Sequence, residues 1–387
     1  MTERIVRIAA RGDGVGEHGT HVAFGVPGDM LVDGRLVEGQ GHQVPPCRHF
    51  PTCGGCQLQH LTDQAYAAYC ESRVVGALAQ KDLAAEIRPA HLSPPRTRRR
   101  ATLRALRAGG RIVLGFNEAG SNKVVDLVEC HVLHPTLFGL LKPLRRLLTG
   151  MTGKAGEVAL TLANEGPDLL IRGFSAEGLE AVEALSAFGD ANGLARLAMD
   201  EGYGPEVRYE PVPATVSLSG HEVPLPVAAF MQATADGEAA LVAAVREAEG
   251  DAKSSADLFA GIGTFALALD GQVTAAEASR DAILALKRAA PDVAAEHRDL
   301  YRRPLDAAEL AAFDAVVLDP PRSGAEEQVK ALAASSVPRI AYVSCNPGTF
   351  ARDARILVDG GYRLEWVLPV GQFRWSTHVE LAACFLR

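Results

Sequence analysis

The sequence predicts an α/β protein built from a C-terminal doubly wound parallel sheet, an α+β middle domain and a small N-terminal β segment. Three observations carry this. From about Ala229 onward, strand-like and helix-like runs alternate, the pattern of a parallel sheet with helices on both faces. Before it, basic strand-like runs mix with amphipathic and alanine-rich helical ones, and Pro205, Pro211, Pro213, Pro224 and Pro226 mark a connector. At the start, Gly-Asp-Gly, Pro-Gly-Asp and Asp-Gly-Arg cut short β-rich runs apart, as turns punctuate a truncated barrel. The expected boundaries are 1–45 for the OB-like β segment, 46–225 for the middle domain and 226–387 for the doubly wound domain.

The totals agree with this division. A chain of 387 residues suits two or three domains. Its 48% hydrophobic and 22% charged residues are those of a globular protein with ample core. No apolar run approaches the ~20 residues of a membrane span, and the first residues are charged from Glu3 onward, unlike a secretory leader. A cytoplasmic, monomeric protein with no membrane partner is expected. The net charge of -8 excludes a chain basic throughout, but a local basic stripe can still bind phosphates. The seven cysteines, Cys47, Cys53, Cys56, Cys70, Cys130, Cys345 and Cys384, are an odd number without a secretion signal, so metal binding and catalysis are favoured over disulfides.

Taken in order, RIVRIAA, HVAFGV and MLVDGRLV are the N-terminal strands, and CRHFPTCGGCQLQH is a cysteine-rich loop. A helix spans about Thr62 to Leu78. The basic segment RTRRRATLRALRAGGRIVLGF divides at Gly109-Gly110 into two strands, and it holds Arg96, Arg98, Arg99, Arg100, Arg104, Arg107 and Arg111. Such a run is usually a solvated face, and it can also track a nucleic-acid backbone. LFGLLKPLRRLL is an amphipathic helix and GEVALTLAN a strand. In the doubly wound domain, SSADLFAGIG is a strand entering a glycine loop, TFALALD a helix and VTAAE a strand. RDAILALKRAA is a helix, followed by AEHRDL, the strand AAFDAVVLDPPRSG, a further helix, the strand RIAYVSCNP and two closing strands.

Chemistry gathers at the expected strand ends. Gly261 and Gly263 permit close backbone approach to a ligand, but no third glycine completes a dinucleotide fingerprint. Glu277, Asp299 and Asp319 place a carboxylate after each successive strand, suited to an adenosine ligand with a cationic centre. Asp319-Pro320-Pro321-Arg322 is a stiff loop with two N–H donors withheld. Tyr342-Val343-Ser344-Cys345-Asn346-Pro347 delivers a thiol to the same rim, where a thiolate can add to an electrophilic carbon. Cys47 and Cys53 enclose five residues, Cys53 and Cys56 enclose two, and Cys130 follows. Four such thiolates suit tetrahedral zinc or an iron–sulfur cluster, and spacing does not separate the two.

The stretches DLFAGIGTFALAL, VVLDPPRSG, SCNPGTFARD and HVELAACFL resemble the S-adenosylmethionine-dependent RNA uracil-5-methyltransferases over nearly the whole chain. The resemblance implies that Cys345 is the nucleophile and Glu380 the base. It implies cofactor contacts for Gln232, within FMQAT, and for Phe259, Gly261, Thr264, Glu277, Asp299 and Asp319. Thr264 stands where an asparagine is frequent, and QFRWST departs from the family's usual Met-Phe-Pro-His-Thr. The cysteine loop with the later VVDLVEC resembles the [4Fe-4S] site of the ribosomal-RNA branch, on Cys47, Cys53, Cys56 and Cys130, in preference to zinc. The N-terminal segment resembles a short TRAM domain, an OB-like RNA-binding module. The implied activity is 5-methyluridine formation in 23S rRNA, with a tRNA enzyme as runner-up and a non-catalytic iron–sulfur RNA-binding protein as the alternative from another class. A cytosine-5 enzyme would usually carry a second cysteine after the proline of its fourth-strand motif, and Pro321-Arg322 offers none.

Overall fold

The structure, a computed structural model, describes residues 2–387. Its chain folds into two compact units, each assembled from separated segments. The first contains the chain up to Val44, Leu58–Ser93 and Asp236–Arg387; the second contains Pro45–Gln57 and Pro94–Ala235.

The first unit is organised by a nine-stranded sheet. Its spatial order is Ala294–His297, Gln272–Glu277, Ser254–Leu258, Ala315–Leu318, Arg339–Ser344, Glu380–Leu386 and Arg363–Gly371, with Glu86–Ile87 and His91–Leu92 both pairing with the last of these. Pairing is parallel from Ala294–His297 through Arg339–Ser344 and antiparallel around Glu380–Leu386. The order reverses between Ser254–Leu258 and Ala315–Leu318, the switch point at which such sheets bind ligands. The central strands carry apolar residues on both faces: Leu258, Val316, Val317, Leu318 and Ile340 are fully buried. Each such side chain contributes roughly 1.5–3 kcal/mol relative to exposure.

One expected helix shortens. TFALALD forms only a single 3-10 turn, Ala266–Ala268, because the glycine loop precedes it closely and Gly271, at φ 81°, already turns the chain into Gln272–Glu277. The helix Asp63–Ala79 also belongs to this unit. Thr62 caps it by accepting the Ala65 N–H, and Tyr66, Tyr69, Cys70, Val74 and Leu78 form its buried face, the three-and-four spacing of an amphipathic helix. The N-terminal strands form a five-stranded sheet with Thr2–Ile8 at its centre.

The second unit is built on a six-stranded sheet ordered Pro205–Tyr209, Arg196–Asp200, Pro167–Arg172, Ala155–Leu162, Arg100–Ala108 and Arg111–Gly115. Gly109 and Gly110, at φ 56° and 80°, form the hairpin turn, because two successive positive φ angles are required in that turn. The helix Leu141–Thr149 buries Leu141, Leu144 and Leu148. Among the described residues, no helix is long and apolar enough to cross a membrane.

Candidate active site

Two loops at the carboxyl rim of the parallel sheet are tied to one another. Asn346 caps the helix Pro347–Asp359, with its Oδ1 accepting the Gly348 N–H at 3.0 Å and Pro347 in the first turn. This arrangement suits proline, since the first-turn N–H has no helical partner to lose. The Asn346 Nδ2 donates to the Arg322 carbonyl at 3.1 Å, and the Thr349 hydroxyl donates to the same oxygen at 3.1 Å. Behind the loops, the buried Tyr342 hydroxyl donates to Asp353 at 2.6 Å, and Asp353 also accepts the Ala325 N–H at 2.9 Å. The sequence around the thiol is therefore a frame: strand, cap and helix start fix the backbone on either side of Cys345.

Cys345 is half-buried. Burial pushes its thiol up to about 11, with the carboxylates of Glu380 and Asp319 adding to the rise and Arg322 opposing it. These electrostatic neighbours place Cys345, Asp319 and Glu380 in one locale. Strand register gives the reason: Ser344 pairs with Leu381, so the next step brings Cys345 and Glu380 to adjoining positions. Glu380 is 3% exposed and opens the last strand. His378, two residues earlier, is exposed. Arg322 lies in the DPPR motif, but a lone arginine after two prolines carries no sequence signal of its position beside the thiol.

The glycine loop shapes the neighbouring rim. Phe259 and Gly261 have φ angles of 66° and 57°. A Cβ on Gly261 would meet nothing within 4 Å, so its side faces open space. The Gly261 N–H donates to Glu277 Oε2 at 3.0 Å, and Ser279 N–H donates to Oε1 at 2.7 Å. Glu277 ends its strand and links the loop to the next helix. Thr264 is half-buried. Asp257, fully buried beneath the loop, accepts the Ala266 N–H at 2.8 Å. Burial pushes Asp257 up to about 7, with Asp319 and Glu277 adding repulsion; burial likewise pushes Asp319 up to about 7. Asp257 opens the DLFAGIG stretch, but its place inside a buried strand gives no sequence signal of a functional carboxyl. Asp299 lies two residues beyond the strand Ala294–His297 and accepts the Tyr301 N–H at 3.0 Å. Tyr301 in turn approaches Phe259, with ring centroids 5.5 Å apart.

Gln232 belongs to the second unit, where it is buried and its carbonyl accepts from Arg99 Nε at 3.1 Å. The same unit holds Cys47, Cys53, Cys56 and Cys130. The first three are buried and Cys130 is half-buried. Burial raises Cys47, Cys53 and Cys130; Cys53 reaches about 11, and charge on Cys130 and Cys47 contributes to its rise. The metal-ligand geometry expected of the four thiols is not met: among the described residues no group of three or more His, Cys, Asp or Glu could hold a metal ion. The loop from Cys47 to Cys56 is a succession of turns, with no helix or strand to hold its thiols about a common centre. As placed, the four thiols do not share the arrangement a bound metal would impose.

The arginine run is also less solvated than a plain basic face. Arg107 donates to the carbonyls of Leu148, Thr149, Met151 and Gly153, closing the end of Leu141–Thr149. Arg100 donates to the Met231 carbonyl at 2.7 Å, and Arg104 pairs with Glu157 at 2.7 Å. Arg96 and Arg111 are exposed.

The sheet order, the glycine loop and the carboxylates around it define a Rossmann-like methyltransferase domain. A family model described as tRNA (uracil-5-)-methyltransferase matches residues 290–387. An uncharacterized RNA methyltransferase of Zymomonas mobilis is 48% identical, with 100% of each chain covered. The 23S rRNA (uracil(1939)-C(5))-methyltransferase RlmD of Thiobacillus denitrificans is 32% identical, covering 89% of this chain and 85% of that one. The solved structure of Pyrococcus abyssi tRNA (uracil-54, C5)-methyltransferase in complex with S-adenosyl-L-homocysteine superposes with a TM-score of 0.76 at 23% identity, over 100% of this chain and 99% of that one. The chain belongs to the S-adenosylmethionine-dependent RNA uracil-5-methyltransferase family.

Proposed function

We propose that this enzyme converts uridine to 5-methyluridine in RNA, with 23S rRNA as the substrate, Cys345 as nucleophile and Glu380 as base. The observation that carries the reading is the strand register that brings Cys345 and Glu380 to adjoining positions at the rim, with Asp319 among the charged neighbours of the thiol. The relative named as a 23S rRNA enzyme supports the choice of RNA. Gln232, Phe259, Gly261, Thr264, Glu277, Asp299 and Asp319 are the proposed cofactor contacts. The glycine loop fits an adenosine ligand: Gly261 leaves its approach open and Glu277 closes the loop from behind.

When bound, S-adenosylmethionine supplies an electrophilic methyl group on a sulfonium. The chain's part begins with Cys345, whose raised thiol must first lose its proton; Asp319, held near neutral pH, is suited to receive it. The Cys345 sulfur then bonds to uracil C6, making C5 nucleophilic. Once C5 carries the methyl, Glu380 removes the C5 proton, the C5–C6 double bond re-forms and the C6–S bond breaks. Cys345 leaves as the thiolate and takes back its proton from Asp319, and Glu380 releases the C5 proton to solvent. The uracil must be reached from its face, which requires an unpaired or flipped-out base.

For the cysteine-rich segment the proposal is a [4Fe-4S] centre on Cys47, Cys53, Cys56 and Cys130, supported by the cysteine spacing and by the nearness of Cys47, Cys53 and Cys130, each close enough to be felt by another. Binding would draw these thiols closer than they stand. No catalytic step is assigned to it.

The function is tested by methylating RNA from a deletion strain with labelled S-adenosylmethionine and mapping the label. Labelled 5-methyluridine in 23S rRNA is the expected result. Label in tRNA alone would transfer the assignment to the tRNA enzyme, and the absence of label would reject catalysis.

A further inference from the structure

The stretch leading to Glu380 has no regular structure to set its path. Residues 372–379 contain no strand or helix, yet Gln372, Arg374, Trp375, Ser376 and Val379 are buried. What holds this stretch comes from far away in the chain. The hydroxyl of Tyr66, on the helix Asp63–Ala79, lies 3.1 Å from both the Phe373 and the Ser376 carbonyls. The Tyr69 hydroxyl donates to the Thr377 carbonyl at 3.4 Å. The Trp375 carbonyl accepts the Leu58 N–H at 2.9 Å. Arg374 donates to the Ser93 carbonyl at 3.0 Å and pairs with Asp63, the first residue of that helix.

These anchors act mainly on backbone, so they determine where the loop runs. Trp375 sits at φ 58°, a left-handed conformation that a non-glycine residue keeps only where its surroundings over-determine it. The tyrosine anchors end at Thr377, just before Glu380. The Cys345 loop has its own frame, made by Asn346, Arg322, Tyr342 and Asp353, which does not involve Tyr66.

We infer that Tyr66 is a positioning residue for Glu380, fixing the loop so that the carboxylate meets the C5 proton after methyl transfer. This rests on the assignment of Glu380 as base. Because the two frames are separate, losing the Tyr66 hydroxyl should slow elimination and spare the earlier steps.

The test uses full-length protein carrying Tyr66→Phe, which keeps the fully buried ring, with labelled S-adenosylmethionine and RNA from a deletion strain. Single-turnover methyl incorporation and the fraction of label in a denaturation-resistant protein–RNA adduct are followed together. Methyl transfer should stay within about twofold of wild type while elimination slows about 10–100-fold, the scale of a small misplacement of a catalytic group. Adduct should therefore accumulate. Tyr69→Phe, whose bond is longer, should produce a smaller accumulation and provides the same test should Tyr66→Phe not fold. Glu380→Gln serves as the reference and should accumulate the most adduct. Adduct in Glu380→Gln but not in the tyrosine variants would overturn the inference and leave the base assignment standing. Equal slowing of methyl transfer and elimination would reduce Tyr66 to a structural role and overturn it as well. Normal turnover by Glu380→Gln would remove both assignments.

Discussion

The molecule holds cysteines in two contrasting settings. Around Cys345 the backbone is pinned by an Asn cap, a proline-start helix and a cross-loop bond to Arg322, while charged groups face the thiol. Around Cys47, Cys53 and Cys56 the chain is a succession of turns and the thiols are buried; burial is the first cause raising Cys47 and Cys53, as it is for Cys345. The first setting is suited to placing one sulfur against a reacting atom. The second lacks a ready-made geometry and would gain one from whatever the thiols bind, because metal binding and folding are coupled at such sites. A thiol's function is thus indicated less by its burial than by what fixes the backbone beside it.

The largest expected effect breaks the comparison at Cys345. Cys345→Ala should lose methylation by about 10⁴-fold or more and form no covalent RNA adduct, since the nucleophile itself is removed. Its melting temperature should stay close to wild type, because the frame around it is made by other residues. Methylation by this variant would reject the nucleophile assignment.

The opposite behaviour is expected in the other region. Protein purified without oxygen should be brown and contain iron, with broad visible absorption. Cys53→Ser should lose that absorption and fold in lower yield, whereas Cys70→Ser, on the buried face of Asp63–Ala79, should keep the colour. Colourless wild-type protein containing a single zinc ion would favour the zinc alternative; metal-free protein would reject the metal site.

A smaller effect concerns the carboxyl beneath the glycine loop. Asp257 is raised from an ordinary 3.8 to about 7, so between those values the unfolded chain releases its proton while the folded one keeps it. Ligand-free protein should therefore lose stability as pH rises through this window, by up to about 4 kcal/mol from this group. In Asp257→Asn that slope should flatten, as urea midpoints at pH 4.5 and 7.5 would measure. An unchanged slope would show that the group ionises without penalty.

The smallest effect tests the cofactor rim. Glu277→Ala removes the acceptor for the Gly261 and Ser279 N–H groups, and should weaken S-adenosylmethionine binding by about 1.5–3 kcal/mol. Unchanged calorimetric affinity would remove Glu277 from the cofactor contacts.

Much of the doubly wound domain was legible because its strands are short apolar runs ending in glycine, proline or a carboxylate, and these endings also mark the rim. The sequence predicts Asp299 at a strand end, whereas it lies two residues beyond, since backbone pairing stops at His297. The edge strands Glu86–Ile87 and His91–Leu92 left no pattern, because two-residue strands bind through backbone alone. The basic run was legible as a hairpin, but the use of Arg107 to close a helix end was not, because a carbonyl partner carries no sequence signal. The proximity of Cys345 and Glu380 follows from register, which single-strand patterns do not specify without knowing which strands are neighbours.

The edge strands also constrain the order in which the protein can be completed during synthesis. Leu58–Ser93 leaves the ribosome long before its partners in Arg363–Gly371 and before the loop that Tyr66 anchors. Until those last residues emerge, a helix with an apolar face and two short strands must wait without their sheet. The N-terminal portion is thus a resident tenant of a domain made last, and a nascent chain stalled before Gly371 would expose the face of Asp63–Ala79 to chaperones.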